Sequence, residues 1–452
     1  MDSQDSATRP FRVIVVGGGI AGLMASNCLQ RAGIDHVVLE KRAEIAPAEG
    51  ASISVYPNST RILHQIGCLE TVESAGAPAN RVKLRLPDGT IISDIDLFEH
   101  LKENHGNSGV IIERRRLLQI LYDNLPTKSL VKLGCSVKRL RHVEDDIEAV
   151  LADETVEIGD MVIGCDGVHS SVRSMMWDYA NKTIPGSVTM KEKMCMKANW
   201  KVLILVGPTM PEIGRDTHFV HNTHFSFTVI SQPDHVFTFV TFRLKEPVIW
   251  PRRMFYTAQD AEHLAETVAS YPVCESLLFG ELWRKRERAS LVNIEEGVLN
   301  KWHCGRIVLA GDAAHKFTFH MGFGANSSIG SIATLCNQLK REIVSRNEPS
   351  LSPSTLERIF ESYQTKRYAR MKTIMDLSLF STRILTWDTL LTKLLSRWIF
   401  PWLPERYLTD QFSKIIKGEP KLEYIGTGNF PRGRLTWEDE VTTGDSEDED
   451  LE

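Results

Sequence analysis

No stretch of this 452-residue chain runs for eighteen apolar residues without interruption, so a membrane-spanning helix is not expected. Positive charge is not in excess either. The 53 Lys and Arg face 58 Asp and Glu, a formal net charge of -5, which is no footprint for nucleic acid. Cysteines are few and scattered: the eight form no CxxC pair and no Cys/His cluster at zinc spacing, so no metal is expected. The opening residues MDSQDSATRP contain no apolar segment of the kind a secretory signal needs. The matching expectation is a cytoplasmic protein with reduced cysteines, in which the sequons at Asn58, Asn181 and Asn326 are chance matches.

What remains is an ordinary globular composition, 42% hydrophobic and 25% charged. The length exceeds one domain. Arg12 to Val16 (RVIVV) is a short β-branched run, read as a buried parallel strand, and Ala21 to Arg31 reads as a helix. His36 to Glu40 (HVVLE) follows as a second strand. Between the first strand and the helix, Gly17, Gly19 and Gly22 match G-x-G-x-x-G. The first glycine permits the tight turn, the second lets a pyrophosphate approach the backbone, and the third lets helix and strand pack closely. Glu40 ends the second strand 18 residues past Gly22, where a carboxylate accepts hydrogen bonds from ribose hydroxyls. This context points to a dinucleotide and does not separate NAD from FAD.

Further along, Val82 to Asp96 reads as a hairpin around Pro87-Asp88-Gly89, and 60–70 and 112–125 as helices. From about Lys193 to Lys245 strand-like runs dominate, and they are expected to build a separate antiparallel sheet. Alternation places Phe225 and Phe227 on one face of their strand, and Phe237 and Phe239 on one face of theirs; one face is core and the other pocket. The stretch Ile384 to Leu403 combines Leu and Trp at helical spacing with flanking cations. It is either a helix packed on the main body or an amphipathic helix in peripheral contact with a membrane. From Thr436 to Glu452 the chain is strongly acidic and is expected to be a solvated, disordered tail.

Two later segments carry a resemblance. Asp160 to Met176 (DMVIGCDGVHSSVRSMM) and Gly305 to Ile329 (GRIVLAGDAAHKFTFHMGFGANSSI) resemble the second and third fingerprints of the flavoprotein aromatic-hydroxylase superfamily. Gly50 to Gly67, Ile111 to Leu125, Leu278 to Val308 and Ala310 to Lys316 resemble, more narrowly, fungal FAD-dependent monooxygenases of the meroterpenoid and indole-diterpene epoxidase type. The resemblance implies an α/β fold: a Rossmann-like FAD-binding domain (10–190 and 301–375), an inserted antiparallel β-sheet substrate domain (191–300), a helical C-terminal region (376–435) and the acidic tail (436–452). It implies FAD, with NAD(P)H as a transient reductant, and epoxidation or hydroxylation of a prenylated, hydrophobic small molecule. In the pathway a terpene cyclase is the implied partner enzyme.

Carried over by position, the resemblance puts Glu40 at the ribose and Arg114 at the pyrophosphate, although Arg115 and Arg116 beside it make a solvated cationic face the competing reading. Asp312 is placed at the ribityl and pyrophosphate region, Ala325 near the ring, and the backbone at Ala51 and Ser54 along the pocket. No catalytic side chain is implied, because the oxygen chemistry belongs to the cofactor. His315 is expected to be a structural hydrogen-bonder. The third fingerprint departs from the family. Phe319 stands for a usual proline, His320 for Asn and Phe323 for Gln, the last two expected close to the flavin ring. Gly330 and Ser331 stand for a Glu-Asp pair expected at the start of the next helix. A looser loop and weaker helix-dipole contacts follow as expectations. They motivate two alternatives: ring hydroxylation or Baeyer–Villiger insertion on an aromatic or polyketide scaffold, and a flavin-binding protein without oxygenase activity.

Overall fold

In the computed structural model, residues 9–346 and 351–440 are described. The strand Arg12–Val16 lies at the centre of a six-stranded sheet, where the β-branched run is buried on both faces. It pairs in parallel with Asp35–Leu39 on one side and Met161–Gly164 on the other. Met161–Gly164 pairs in parallel with Ile307–Leu309, so the two parts of the domain join strand to strand across the inserted sheet. The helix Ile20–Ala32 crosses between the first two strands and is closed by Gly33 in the left-handed region.

The second sheet has eight strands rather than those of 191–300 alone. The expected hairpin, Val82–Arg85 with Ile91–Ile95, forms its outer edge, joined in parallel to Thr217–His221. At the other edge His315–Lys316, from the third fingerprint, pairs with Gly297–Val298. Both ends of the sheet are therefore built from the nucleotide-binding parts. One sheet face packs under the helices Ala258–Val268 and Phe279–Arg284, burying Phe227, Val229 and Val240. The opposite face carries Phe237 and Phe239 against Ala51 and Phe319. Phe225 and Phe227 thus belong to the core, Phe237 and Phe239 to the side facing the nucleotide fold.

The C-terminal boundaries shift. A single helix, Pro353–Leu385, runs through position 375, and the last long helix, Glu405–Lys417, ends before the expected limit of 435. From Gly418 the chain is an irregular strap, as its Gly and Pro content dictates (Gly418, Pro420, Gly426, Gly428, Pro431, Gly433). The strap lies back on the nucleotide domain through paired bonds: Gln65 Nε2 donates to Leu422 O at 2.8 Å, and Leu422 N to Gln65 Oε1 at 2.8 Å. The expected acidic tail begins as packed chain, because Trp437 is 4% exposed and Arg61 lies 4.4 Å over its ring while pairing with Asp439 and Glu440. The rest of that expectation, 441–452, lies outside the described residues. Among the described residues no helix is long and apolar enough to cross a membrane.

Candidate active site

The glycine-rich turn is shaped by close approach. A Cβ on Gly22 would sit 1.8 Å from the carbonyl oxygen of Gly17, and Gly17 itself adopts φ +107 against the Cys165 carbonyl. Gly19 differs: a Cβ there would meet nothing within 4 Å, so its surface faces open space. The helix that follows has neither a side-chain cap nor an acid in its first turn, which leaves its N-terminal N–H groups free for an anion. Glu40 is buried, with Oε2 accepting from Gly18 N at 2.5 Å and Oε1 from Arg42 N at 2.9 Å. These bonds fix the carboxylate behind the turn.

A cavity of about 310 Å³ opens beside this turn. Gly19, Ser54, Arg114, Asp312 and Ala325 line it. Gly17, Gly22 and Glu40 form the turn behind it, and Ala51 packs against Phe239 one step outside the lining. The arginine run resolves by direction. Arg115 is exposed, Arg116 pairs with Asp234, and Arg114 turns to the cavity with no ion-pair partner within 4.0 Å among the described residues. Burial lowers the Arg114 pKa, and Arg42 adds to this while Asp312, Glu49 and Glu40 oppose it. An unpartnered guanidinium beside free helix N–H groups fits a pyrophosphate. Asp312 holds Lys316 Nζ at 2.5 Å, so a cation that sequence reading passed over also lines the cavity. The i,i+4 spacing of the two was its only signal. In the second fingerprint Asp166 caps the helix Ser171–Thr183 by accepting from Ser171 N and Val172 N, and Gly167 reaches the cavity.

A second cavity of about 320 Å³ shares Ser54, Ile230, Phe319 and Gly322 with the first. Its other walls come from the 82–98 hairpin region, the 217–230 strands and the helices around 381–412. Nothing in sequence marked these as one place. Phe319 forms the partition, stacked between Phe239 (centroids 4.7 Å) and His320 (4.2 Å). His320 lines the second cavity rather than the first. Its ring nitrogens meet Thr241 Oγ1 at 3.2 Å and Thr382 Oγ1 at 2.9 Å, and burial pulls its pKa down to about 3, so it is a neutral post. Phe323 is not a lining residue of either cavity; it is 2% exposed, packed against Tyr56 and Phe412. The loop expected to be looser is tied without the family's proline. Asn326 donates to Ser54 O and Gly322 O, both at 2.8 Å, and Tyr56 Oη donates to Met321 O at 3.2 Å. His315 Nε2 meets Ser331 Oγ at 3.1 Å. Burial, then Arg367, lowers its pKa to about 3, which suits a structural role.

Gly330 and Ser331 lie well inside the helix Phe323–Arg346, not at its start. A Cβ at Gly330 would be 2.1 Å from Glu419 Oε2. Glu419 reaches in from the strap and takes both Arg367 (2.6 Å) and Arg370 (2.8 Å). The carboxylate missing from the helix is therefore supplied from elsewhere in the chain, and no helix-dipole contact is lost there.

Fold and site together define an α/β protein in which a glycine-turn cavity suited to a nucleotide adjoins an apolar chamber under the second sheet. The chain belongs to the FAD binding domain family, whose description matches residues 11–378. It is 35% identical over 437 residues to the FAD-dependent monooxygenase DEP2 of Alternaria brassicicola, covering 95% of this chain and 82% of that protein. It is 34% identical over 417 residues to the FAD-dependent monooxygenase ausM of Penicillium brasilianum, covering 92% and 87%. In fold it is similar to Klebsiella pneumoniae HpxO complexed with FAD and uric acid (TM-score 0.72, 18% identity, 90% and 96% covered). It is also similar to p-nitrophenol 4-monooxygenase PnpA of Pseudomonas putida (0.71, 17%, 90% and 98%). The protein is an FAD-dependent monooxygenase.

Proposed function

We propose that the protein epoxidises or hydroxylates a prenylated, terpenoid-like secondary metabolite, using O2 and NAD(P)H as the transient reductant. The observation that carries this reading is the second cavity, apolar on most of its walls and adjoining the flavin cavity along a shared wall in which Phe319 stands. Bound FAD supplies the oxygen activation. The chain's own residues orient the apolar substrate against the partition and keep water out. The resemblance to polyprenyl epoxidases supports a terpene cyclase as the enzyme that takes the product. In the test, purified protein loaded with FAD is reduced by NADPH without oxygen, then given 18O2 and a polyprenylated phenol. One labelled oxygen in an epoxide or alcohol is the expected result. NADPH oxidation indifferent to every prenylated compound, with no labelled product, would overturn it.

The segment 384–403 supports membrane contact as part of the same reading. Its helix Leu390–Trp398 and following turn leave Leu390 80%, Trp398 62% and Trp402 82% exposed, beside Leu391 and Leu394. Lys393 and Arg397 flank this face, as suits anionic lipid headgroups. The helices before and after it, ending at Leu385 and starting at Glu405, both wall the second cavity through Leu385 and Leu408, so a lipid-dissolved substrate would meet the cavity at the bilayer. Phosphatidylserine-containing vesicles should retain the wild-type protein, and the Leu394→Asp, Trp398→Asp double variant should bind at least about tenfold more weakly. Equal sedimentation of the two would remove this contact.

A further inference from the structure

We infer that Thr217 and Thr228 form a polar subsite in the second cavity that takes a neutral oxygen function, a hydroxyl or carbonyl, of an otherwise apolar substrate. This rests on the reading that the second cavity holds the substrate. Both side chains line it, and both residues are buried, Thr217 at 5% and Thr228 at 1% exposure. Their Oγ1 atoms are buried and have no hydrogen-bond partner among the described residues. Two other hydroxyls of the same cavity are satisfied internally: Tyr56 Oη by Met321 O and Thr409 Oγ1 by Glu405 O. A buried hydroxyl without a partner costs folding free energy, so two on one wall point to a partner that arrives with the ligand.

The register makes them one subsite. Thr217 pairs with Ile230 and Phe219 with Thr228, so all four project from the same face of adjacent strands, and the two hydroxyls stand on a cross-strand diagonal. Thr228 in turn pairs with Phe239, the residue stacked on the Phe319 partition. An oxygen held here is fixed close to the wall the two cavities share, and the apolar body is left to fill the space lined by Leu84, Phe98 and Leu408. The class of ligand follows from the rest of the lining. None of the described residues lining this cavity is Lys, Arg, Asp or Glu, so a carboxylate or diphosphate would enter without a counter-charge. A threonine hydroxyl both donates and accepts, which serves an alcohol, a phenol or a ketone.

The test uses the full chain loaded with FAD and two probes, trans,trans-farnesol and the triene in which hydrogen replaces its hydroxyl, titrated by perturbation of the flavin absorbance. The wild type should bind farnesol about tenfold more tightly than the triene. The Thr217→Val, Thr228→Val double variant should bind both at the triene's level, and the serine variants T217S and T228S should keep the preference. Thr228→Val should also unfold at or above the wild-type temperature, because it removes an unsatisfied hydroxyl; a lower temperature, or failure to fold, would expose a structural partner and overturn the inference. Equal affinity of the wild type for the two probes would overturn it alone. Binding of neither probe would remove the substrate-cavity reading and the inference with it.

Discussion

Replacing Glu419 by alanine is expected to lower the stability of the FAD-loaded protein by about 3–5 kcal/mol, the usual result of stripping one partner from a buried ion pair. The size follows from what is left behind. The side chains of Arg367 and Glu419 are 2% and 1% exposed, and Arg367 lies against the helix Phe323–Arg346, where among the described residues its other acceptors are Ser331 Oγ and Ser327 O, both at 3.2 Å. Burial would raise the Glu419 pKa, but Arg367 and Arg370 together outweigh it and hold the carboxyl below its ordinary range. A depressed folded value means the contribution is present above the unfolded value and is lost as pH falls through the folded one. The gap between wild type and Glu419→Gln should therefore be widest at neutral pH and close in acid. Thermal unfolding at several pH values reads this directly. Gly330→Ala should destabilise as well, through the 2.1 Å approach to Glu419, and in the double variant the two effects should be less than additive because they share one contact. Unchanged stability of Glu419→Ala would show that the strap's carboxylate is dispensable.

That carboxylate also marks where sequence reading stops. The strand, the glycine turn, the crossing helix and Glu40 were legible because each depends on neighbours within about thirty residues and on sterics that only glycine satisfies. The cavity residues Ser54, Arg114, Asp312 and Ala325 were legible through resemblance, since no local pattern separates Arg114 from Arg115 and Arg116. The Gly330 position read as a loss because its replacement acid lies in a strap with no periodicity, and only the fold brings Glu419 to it. Trp437 was absorbed into an acidic run for a similar reason: charge density hid one aromatic that Arg61 holds down. The second cavity was the least legible feature. Its walls come from segments scattered between Ser54 and Phe412, and the one chemical clue, a pair of threonines on adjacent strands, is indistinguishable in sequence from ordinary β-propensity.

Phe319→Ala should uncouple reductant use from product formation, with kcat/KM for oxygenation falling on the order of 100-fold while FAD stays bound. The ring stands in the wall shared by two cavities of about 310 and 320 Å³, beside Ser54, Ile230 and Gly322, and its removal should open that wall. It is held from both sides, by Phe239 at 4.7 Å and by His320 at 4.2 Å, and His320 is itself pinned by two threonines, so the partition is fixed in place rather than filling space passively. Merging the chambers admits water to the flavin side and lets an apolar substrate slide past the position where its reacting carbon is presented. Flavin affinity should change little if, as proposed, the dinucleotide is held by Arg114, Asp312 and the Gly17–Gly22 turn, because none of these side chains packs on the Phe319 ring. The measurement is hydrogen peroxide released and product formed per NADPH consumed, alongside the flavin content of the purified variant. Phe319→Leu, which keeps an apolar plug without the stack, should fall between the two. A variant with full coupling would show that the partition is not what orders the substrate. A variant that loses FAD would show that the loop, not the ring, is what Phe319 maintains.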